Sequence, residues 1–478
     1  MALSPYFGPP FFSTCFFKIK TALFMLHLLC RQANQLCLLL LLVANLAIGQ
    51  TNSPLPVLCG NEVFDHILKN RYPELRQAFQ ASFEENLNRP RSAADRSPKT
   101  IRVVVHLVWN SPEENLHDSI ILNQIAVLNE DYNRQNADTA NLRPPFQPVA
   151  GNPQVTFELA EIKRVQTSAL FELDLFGTSV FANLKTAAEG GSDARDPNQY
   201  LNIWICKIQP IAFGGITIGQ VLGLAFPPNN LGHWPPDTGA PTPEQDGVVL
   251  DFRVIGRNNP NTIAIPGGTG NLVVRGRTAT HEVGHYLGLR HIWGDGGVLG
   301  LPNDCSQSDG IDDTPFANAQ SAFDCDKTRN TCPNVEPFYN SDMPDLVENY
   351  MDYSSEACMN MFSQGQSAMI QNVLDGPRKS LVQTSSSPSP LAEGSLPVLF
   401  PNPARAGRSW LNLPAGWQPT AIELVGPEGR VVRHLPASDL SGKAERQVAL
   451  ETHNLSPGWY AVRVQTADRV WVERLLVQ

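Results

Sequence analysis

The stretch HEVGHYLGLRHIWGD, running from His281 to Asp295, decides how this chain is read. Three of the ten histidines in 478 residues fall within its first eleven positions. On a helix, residues four apart lie on nearly one face, so His281 and His285 present two imidazoles to one point. Glu282 follows the first of them, close enough to reach a water held there without being a ligand. Gly288 accepts the left-handed conformation that ends a helix, and a sharp turn at that position returns His291 to the same point. Three neutral imidazoles leave one position of a tetrahedral zinc open, which is the layout of a catalytic site. Accident is a poor rival. A chance HExxH in a chain with this histidine content has a probability on the order of one in a hundred, and the further offsets lower it about a thousandfold.

HExxHxxGxxH is the signature of the metzincin metallopeptidases. The flanking Arg277, Thr278, Ala279 and Thr280, and the run from His291 through Trp293 to Asp295, narrow the match. The chain resembles the pappalysin family of secreted zinc endopeptidases, in its bacterial, cytophagalysin-like branch. That resemblance implies an α+β catalytic domain: a mixed twisted sheet with a zinc-binding helix, then an irregular lower half with a Met-turn. NYMDYSSEACMNMF (349–362) supplies the turn, with Met351 in it and Tyr353 two residues on.

Composition sets bounds. The length suggests two or three domains. A hydrophobic fraction of 42% allows a substantial core, and a net charge of −10 argues against nucleic acid or anionic membrane as partner. Residues 1–49 read as a signal peptide, with the apolar run Leu36–Gly49 too short to span a bilayer comfortably, so the mature chain is expected to carry no transmembrane anchor. The leader is long for a signal, and Met25 is an alternative start. Cysteine usage agrees with export. Four of the six cysteines after the leader (Cys305, Cys325, Cys332 and Cys358) cluster between the zinc motif and the end of the Met-turn segment, as disulfides would. Sequence allows three pairings, and the resemblance implies Cys305–Cys332 with Cys325–Cys358.

Residues 50–96 read as a propeptide, with one helical stretch near Phe64 to Phe83 and an arginine-rich end at Arg91 and Arg96 as the expected cleavage region. Cys59 has two readings: a thiolate that caps the zinc and keeps the enzyme latent, or a disulfide with Cys206. Residues 97–383 form the expected catalytic domain. Its strands are read at 101–109, 155–159, 201–205 and 247–251, with a helix capped by Asp118 and a last helix at 366–374. SDGIDDTP (308–315) is dense in hard oxygen ligands. Calcium on Asp309, Asp312 and Asp313 is one expectation and an acidic solvated turn the other.

Residues 384–395 are a Ser/Pro linker by composition. From 396 to 478 short strands alternate with turns and no helical period appears, the pattern of a small all-β sandwich. Phe400–Pro403, Gly426–Arg430 and Leu455–Tyr460 resemble the C-terminal sorting domain of the type IX secretion route, which implies a partner in that machinery and a secreted or cell-surface enzyme exported through the periplasm.

The expected chemistry is zinc-dependent cleavage of protein or peptide substrates, with Glu282 as proton carrier, Tyr353 as oxyanion partner and Met351 as an apolar floor. Asp295 is a candidate to orient a ligand. Glu356 suggests a basic residue after the scissile bond. A catalytically silent secreted binding protein on the same scaffold is the rival from another class, and the intact Glu282 argues against it. A zinc exopeptidase would use the same ligands, and cleavage of a peptide blocked at both ends separates the two.

Overall fold

A computed structural model describes residues 57–61, 73–89, 97–173, 181–213, 216–228, 245–264, 270–294, 305–321, 323–382, 397–405, 407–413, 417–426, 430–436, 447–466 and 470–477. The expected signal peptide, the arginines at 91 and 96, Asp295 and the linker lie outside the described residues.

The first part of the chain contributes β1 (Val57–Cys59), α1 (Pro73–Leu87), β2 (Lys99–Trp109), α2 (Asp118–Tyr132), β3 (Val155–Gln166), β4 (Leu201–Cys206), β5 (Ile211–Phe213), β6 (Ile216–Ala225), β7 (Val248–Asp251) and α3 (Arg277–Tyr286). The sheet order is β1-β6-β7-β4-β2-β3, with β5 paired to β6. β7, β4, β2 and β3 run parallel to one another. A parallel pair needs a long crossover, and α2 provides it between β2 and β3. β2 is buried along almost its whole length, as a strand covered on both faces must be. Its Val103 and Val105 share a core with Ile121, Leu128 and Tyr132 of α2.

Three sequence expectations change here. α2 is capped by His117, whose Nδ1 accepts from the Ser119 N–H; Asp118 is the first helical residue and pairs with Arg164 instead. The described part of the helix expected near Phe64 to Phe83 begins at Pro73 and runs on to Leu87, beyond that expected end. β6 was not expected at all. It runs antiparallel to β7, and β1 adds to it in parallel.

After α3 the chain is mostly turns, with a two-residue hairpin of β8 (Val335–Glu336) and β9 (Ser341–Asp342). α4 (Gln364–Asp375) then opens on a capping box between Ser363 and Gln366. Cys305 is bonded to Cys332 and Cys325 to Cys358, the pairing that the resemblance implies.

The C-terminal part is all β: β10 (Val398–Arg405), β11 (Arg408–Asn412), β12 (Ala421–Val425), β13 (Val431–Pro436), β14 (Gln447–Glu451), β15 (Gly458–Gln465) and β16 (Val470–Val477). Their order is β13-β12-β15-β16-β10-β11-β14. Leu411, Ile422, Val462, Val464 and Leu475 fill its core. No helix among the described residues is long and apolar enough to cross a membrane.

Asp131, on α2, joins the pieces that will form the site. Its two oxygens accept from the Tyr350 and Thr280 hydroxyls, each at 2.8 Å, and Arg277 lies 3.6 Å away. One buried carboxylate thus ties α2 to α3 and to the approach to Met351. Asp131→Ala leaves two buried hydroxyls without their acceptor, while Arg277 keeps its bidentate pair with Asp138 at 2.7 Å. The expected cost is about 1–3 kcal/mol, read as a lower urea midpoint with unchanged slope. A midpoint equal to the parent's would show that the carboxylate carries no net stabilisation.

Candidate active site

The zinc helix is bounded by tertiary and local devices. At its start Gly276 takes φ +80°, which a side chain would strain. Glu356 reaches across to this end, and its carboxylate accepts from the N–H groups of Arg275, Arg277 and Thr278 and from the Thr278 hydroxyl. An anion there satisfies orphan donors and complements the helix dipole. At the other end Gly288 has φ +91°. The Leu289 N–H returns to the Gly284 carbonyl and the Gly288 N–H to that of His285, which is a Schellman turn. That turn swings the chain back to His291.

Within this frame the three imidazoles converge. His285 Nε2 lies 3.0 Å from Nε2 of both His281 and His291. His281 Nδ1 faces the Tyr350 carbonyl at 2.8 Å and His285 Nδ1 the Leu289 carbonyl at 2.9 Å. A carbonyl accepts only, so both rings carry their proton on Nδ1 and turn an Nε2 lone pair to the shared point. The His291 ring stacks on Trp293, 4.5 Å between centroids. Burial lowers His281 to about 4, and burial with the neighbouring imidazoles holds His285 and His291 well below their ordinary value. Neutral rings with lone pairs aimed at each other repel unless a cation lies between them. Their spacing is near the edge of a tetrahedron with zinc–nitrogen bonds of about 2.0–2.1 Å. The donor set fits zinc.

Cys59 completes the cluster. Its sulfur and the three imidazole nitrogens lie within 4.8 Å of one another, the one such grouping among the described residues. Cys59 and Cys206 both carry thiols, so the disulfide reading does not hold. Cys59 also donates its N–H to the Tyr353 hydroxyl at 2.8 Å, and its sulfur lies 3.6 Å from Glu282 Oε2. Burial raises the Glu282 carboxyl to about 8, with the Cys59 contact pulling the other way.

Two glycines that the motif reading left unexplained now have reasons. A Cβ on Gly284 would come within 2.5 Å of Met351 Sδ, so the Met-turn packs directly beneath the helix at that position. A Cβ on Gly223, in β6, would come within 2.6 Å of Glu282 Cγ. An isolated glycine in a strand marks such close approach, but that signal can be read only once β6 is known to be a strand.

The calcium expectation finds no support among the described residues. Asp309 is buried, with one oxygen accepting from the Ile311 N–H and the Thr314 hydroxyl. Asp313 instead accepts from the Ser363 hydroxyl and the Gly365 N–H at the start of α4. Asp312 is exposed. The three carboxylates serve separate purposes and do not form a shared ligand set among the described residues.

The fold and site define a metallopeptidase. A family model described as pregnancy-associated plasma protein-A matches residues 272–375, and one described as a secretion system C-terminal sorting domain matches residues 398–478. An extracellular metalloprotease of Arthroderma benhamiae is 28% identical over 274 residues, 57% of this chain and 71% of that protein. Extracellular metalloprotease 1 of Coccidioides posadasii is 28% identical over 283 residues, 58% of this chain and 78% of that protein. A promirolysin mutant of Tannerella forsythia is 32% identical, with 68% of this chain and 95% of that one covered and a TM-score of 0.52. The chain belongs to the pappalysin family of zinc metalloendopeptidases and carries a C-terminal domain for export.

Gly223→Ala tests the approach of β6 to Glu282. The added methyl pushes the carboxylate aside without touching the imidazoles. We expect full zinc content and kcat/KM lowered at least about tenfold, on the scale of a small misplacement at a reacting group. Unchanged kcat/KM would mean that Glu282 need not sit where this strand confines it.

Proposed function

We propose that Glu282 is the general base and acid of peptide hydrolysis, with His281, His285 and His291 as the metal ligands. Zinc on these imidazoles would polarise the scissile carbonyl and acidify water to a pKa of about 7. Glu282 takes the proton from the attacking water and delivers it to the leaving amine. The Tyr353 hydroxyl turns from the Cys59 N–H to the oxyanion that develops on the carbonyl. Met351 stays an apolar floor. The observation that carries this reading is the position of Glu282, adjacent to His281 on α3 yet facing the cleft in which Cys59 lies.

The substrates are proteins or peptides. Residues 50–96 are the prosegment, and Cys59 holds the enzyme latent by taking the position that the attacking water needs. β1 lends that thiol the support of a strand: Cys59 pairs with Gly223, and the Asn61 side chain exchanges hydrogen bonds with the Ala225 backbone at 2.8 and 2.9 Å. α1 adds a second hold, since Phe83 lies under the Arg290 guanidinium and Gln80 accepts from it. Residues 1–49 direct export and residues 97–383 form the peptidase. Beyond the 384–395 linker, residues 396–478 engage the type IX machinery.

Glu282→Ala should keep stoichiometric zinc by elemental analysis and lose turnover of a fluorogenic peptide by several orders of magnitude, because the carboxylate moves protons and is no ligand. His291→Ala should lose zinc itself. Near-parental turnover in the first, or full zinc in the second, would sink the assignment.

Latency has its own measurement. The uncleaved Cys59→Ala precursor should hydrolyse peptide and process itself faster than the parent. Equal latency in that variant would assign the block to α1 and the backbone of β1.

A further inference from the structure

α1 turns one face inward. Ser82, Phe83 and Asn86 are buried and Phe79 half-buried, while Gln77, Ala81, Glu84 and Asn88 are exposed. Spacings of three and four residues put the first set on a single helical face. Phe83 belongs to the same apolar cluster as Leu289, Met369 and Val373, and Phe79 packs against a second cluster that contains Phe226. Polar contacts frame these anchors. The Asn372 side chain donates to the Asn86 carbonyl at 2.6 Å, and Arg290 donates to the Gln80 side chain while lying over the Phe83 ring. Arg89, just past α1, donates to the Asp375 carbonyl at 3.4 Å. α1 thus lies in a groove between α4 and the turn that follows α3.

Cys59 meets a different set of groups: Glu282, the Tyr353 hydroxyl and the three imidazoles. No residue belongs to both sets. The expected cleavage region at 91–96 spares both holds as well. Cys59 and α1 precede it, so a cut there leaves them on one fragment. On its far side Lys99 donates to the Asp375 carboxylate at 2.6 Å. The chain is therefore seated on Asp375 both before the cleavage region and after it, and hydrolysis between the two removes none of these contacts.

We propose that the groove under α1 is a helix-binding site that works apart from the imidazole cluster. Through it the excised segment stays on the mature enzyme after the cut, so activation is complete only when that segment leaves or is digested. The inference rests on residues 50–96 being the prosegment. Cutting the chain removes the tether, which lowers the effective concentration of the segment at its site without removing a contact. What remains is a helix whose apolar face lies in an apolar groove, a mode of recognition that needs no metal. Displacing the thiol from the cluster leaves that hold in place.

The test starts from the full chain. Once the precursor has processed itself, a small hydroxamate is added to occupy the metal site and stop further digestion. Size exclusion and native mass spectrometry then show whether the excised fragment accompanies the mature enzyme. It should remain bound, and Phe83→Ala should weaken its binding at least tenfold. Release of the parent fragment by the hydroxamate would overturn the proposal, because the hold would then belong to Cys59. A labelled synthetic peptide of residues 73–89 reads the groove without a variant precursor having to fold. Fluorescence anisotropy on the mature enzyme, freed of its fragment and blocked by the hydroxamate, should show saturable binding, at least tenfold weaker for the Phe83→Ala peptide. Absence of binding, or equal binding by the two peptides, would overturn the proposal too. Failure of the latency reading would appear separately, as equal latency of the Cys59→Ala precursor in peptide turnover, and leaves the anisotropy result readable.

Discussion

Three imidazole lone pairs aimed at one point repel each other, and the rest of the catalytic half is arranged to hold them there. No single element can do it. α3 carries His281 and His285 on one face, but their rings are turned by carbonyls elsewhere: Tyr350 in the approach to the Met-turn and Leu289 beyond the helix end. Trp293 stacks on the third ring. Each orienting group lies in irregular chain, which has few backbone ladders of its own. Two disulfides and the buried hydrogen bonds of Asp131 give that chain its fixed shape.

Carboxylates of the same chemical type do different work here because of what faces them. Glu356 meets a cluster of backbone donors and becomes a helix cap. Asp313 meets the first turn of α4 and does the same. Glu282 faces the cleft, where the Cys59 sulfur is its near neighbour, and burial raises its carboxyl to about 8. The same cleft brings Cys59 to Glu282 and to the Tyr353 hydroxyl, the two groups proposed for the reaction. On the proposed reading, latency and catalysis compete for one set of atoms.

Much of this was legible in the chain because the decisive pattern is local. The four-residue interval of His281 and His285 follows from helix geometry, and Gly288 marks the turn that returns His291. The strands β2, β3, β4 and β7 show in their runs of branched residues, and the β-rich tail in its short strands and turns. β6 did not show, since Gly219, Gln220 and Gly223 interrupt its apolar pattern. Their reason is tertiary: the Gln220 side chain donates to the Ile208 carbonyl, and Gly223 makes room for Glu282. β10 was hidden by Pro401 and Pro403, which argue against a strand unless it lies at an edge or an irregularity.

The sequence by itself determined the three histidines that converge, the glutamate beside them, the Met-turn segment and the export tail, because each is written in residues close together along the chain. Only the tertiary structure decided what the remaining acids and Cys59 do. Asp309, Asp312 and Asp313 look like a calcium loop in one dimension, yet two are buried on separate donors and the third faces solvent. Cys59 reaches the imidazoles across more than two hundred residues because β1 pairs with β6. Long-range partners such as these leave no periodicity in the chain. They arise only when the fold brings donor and acceptor together in a space from which water is excluded.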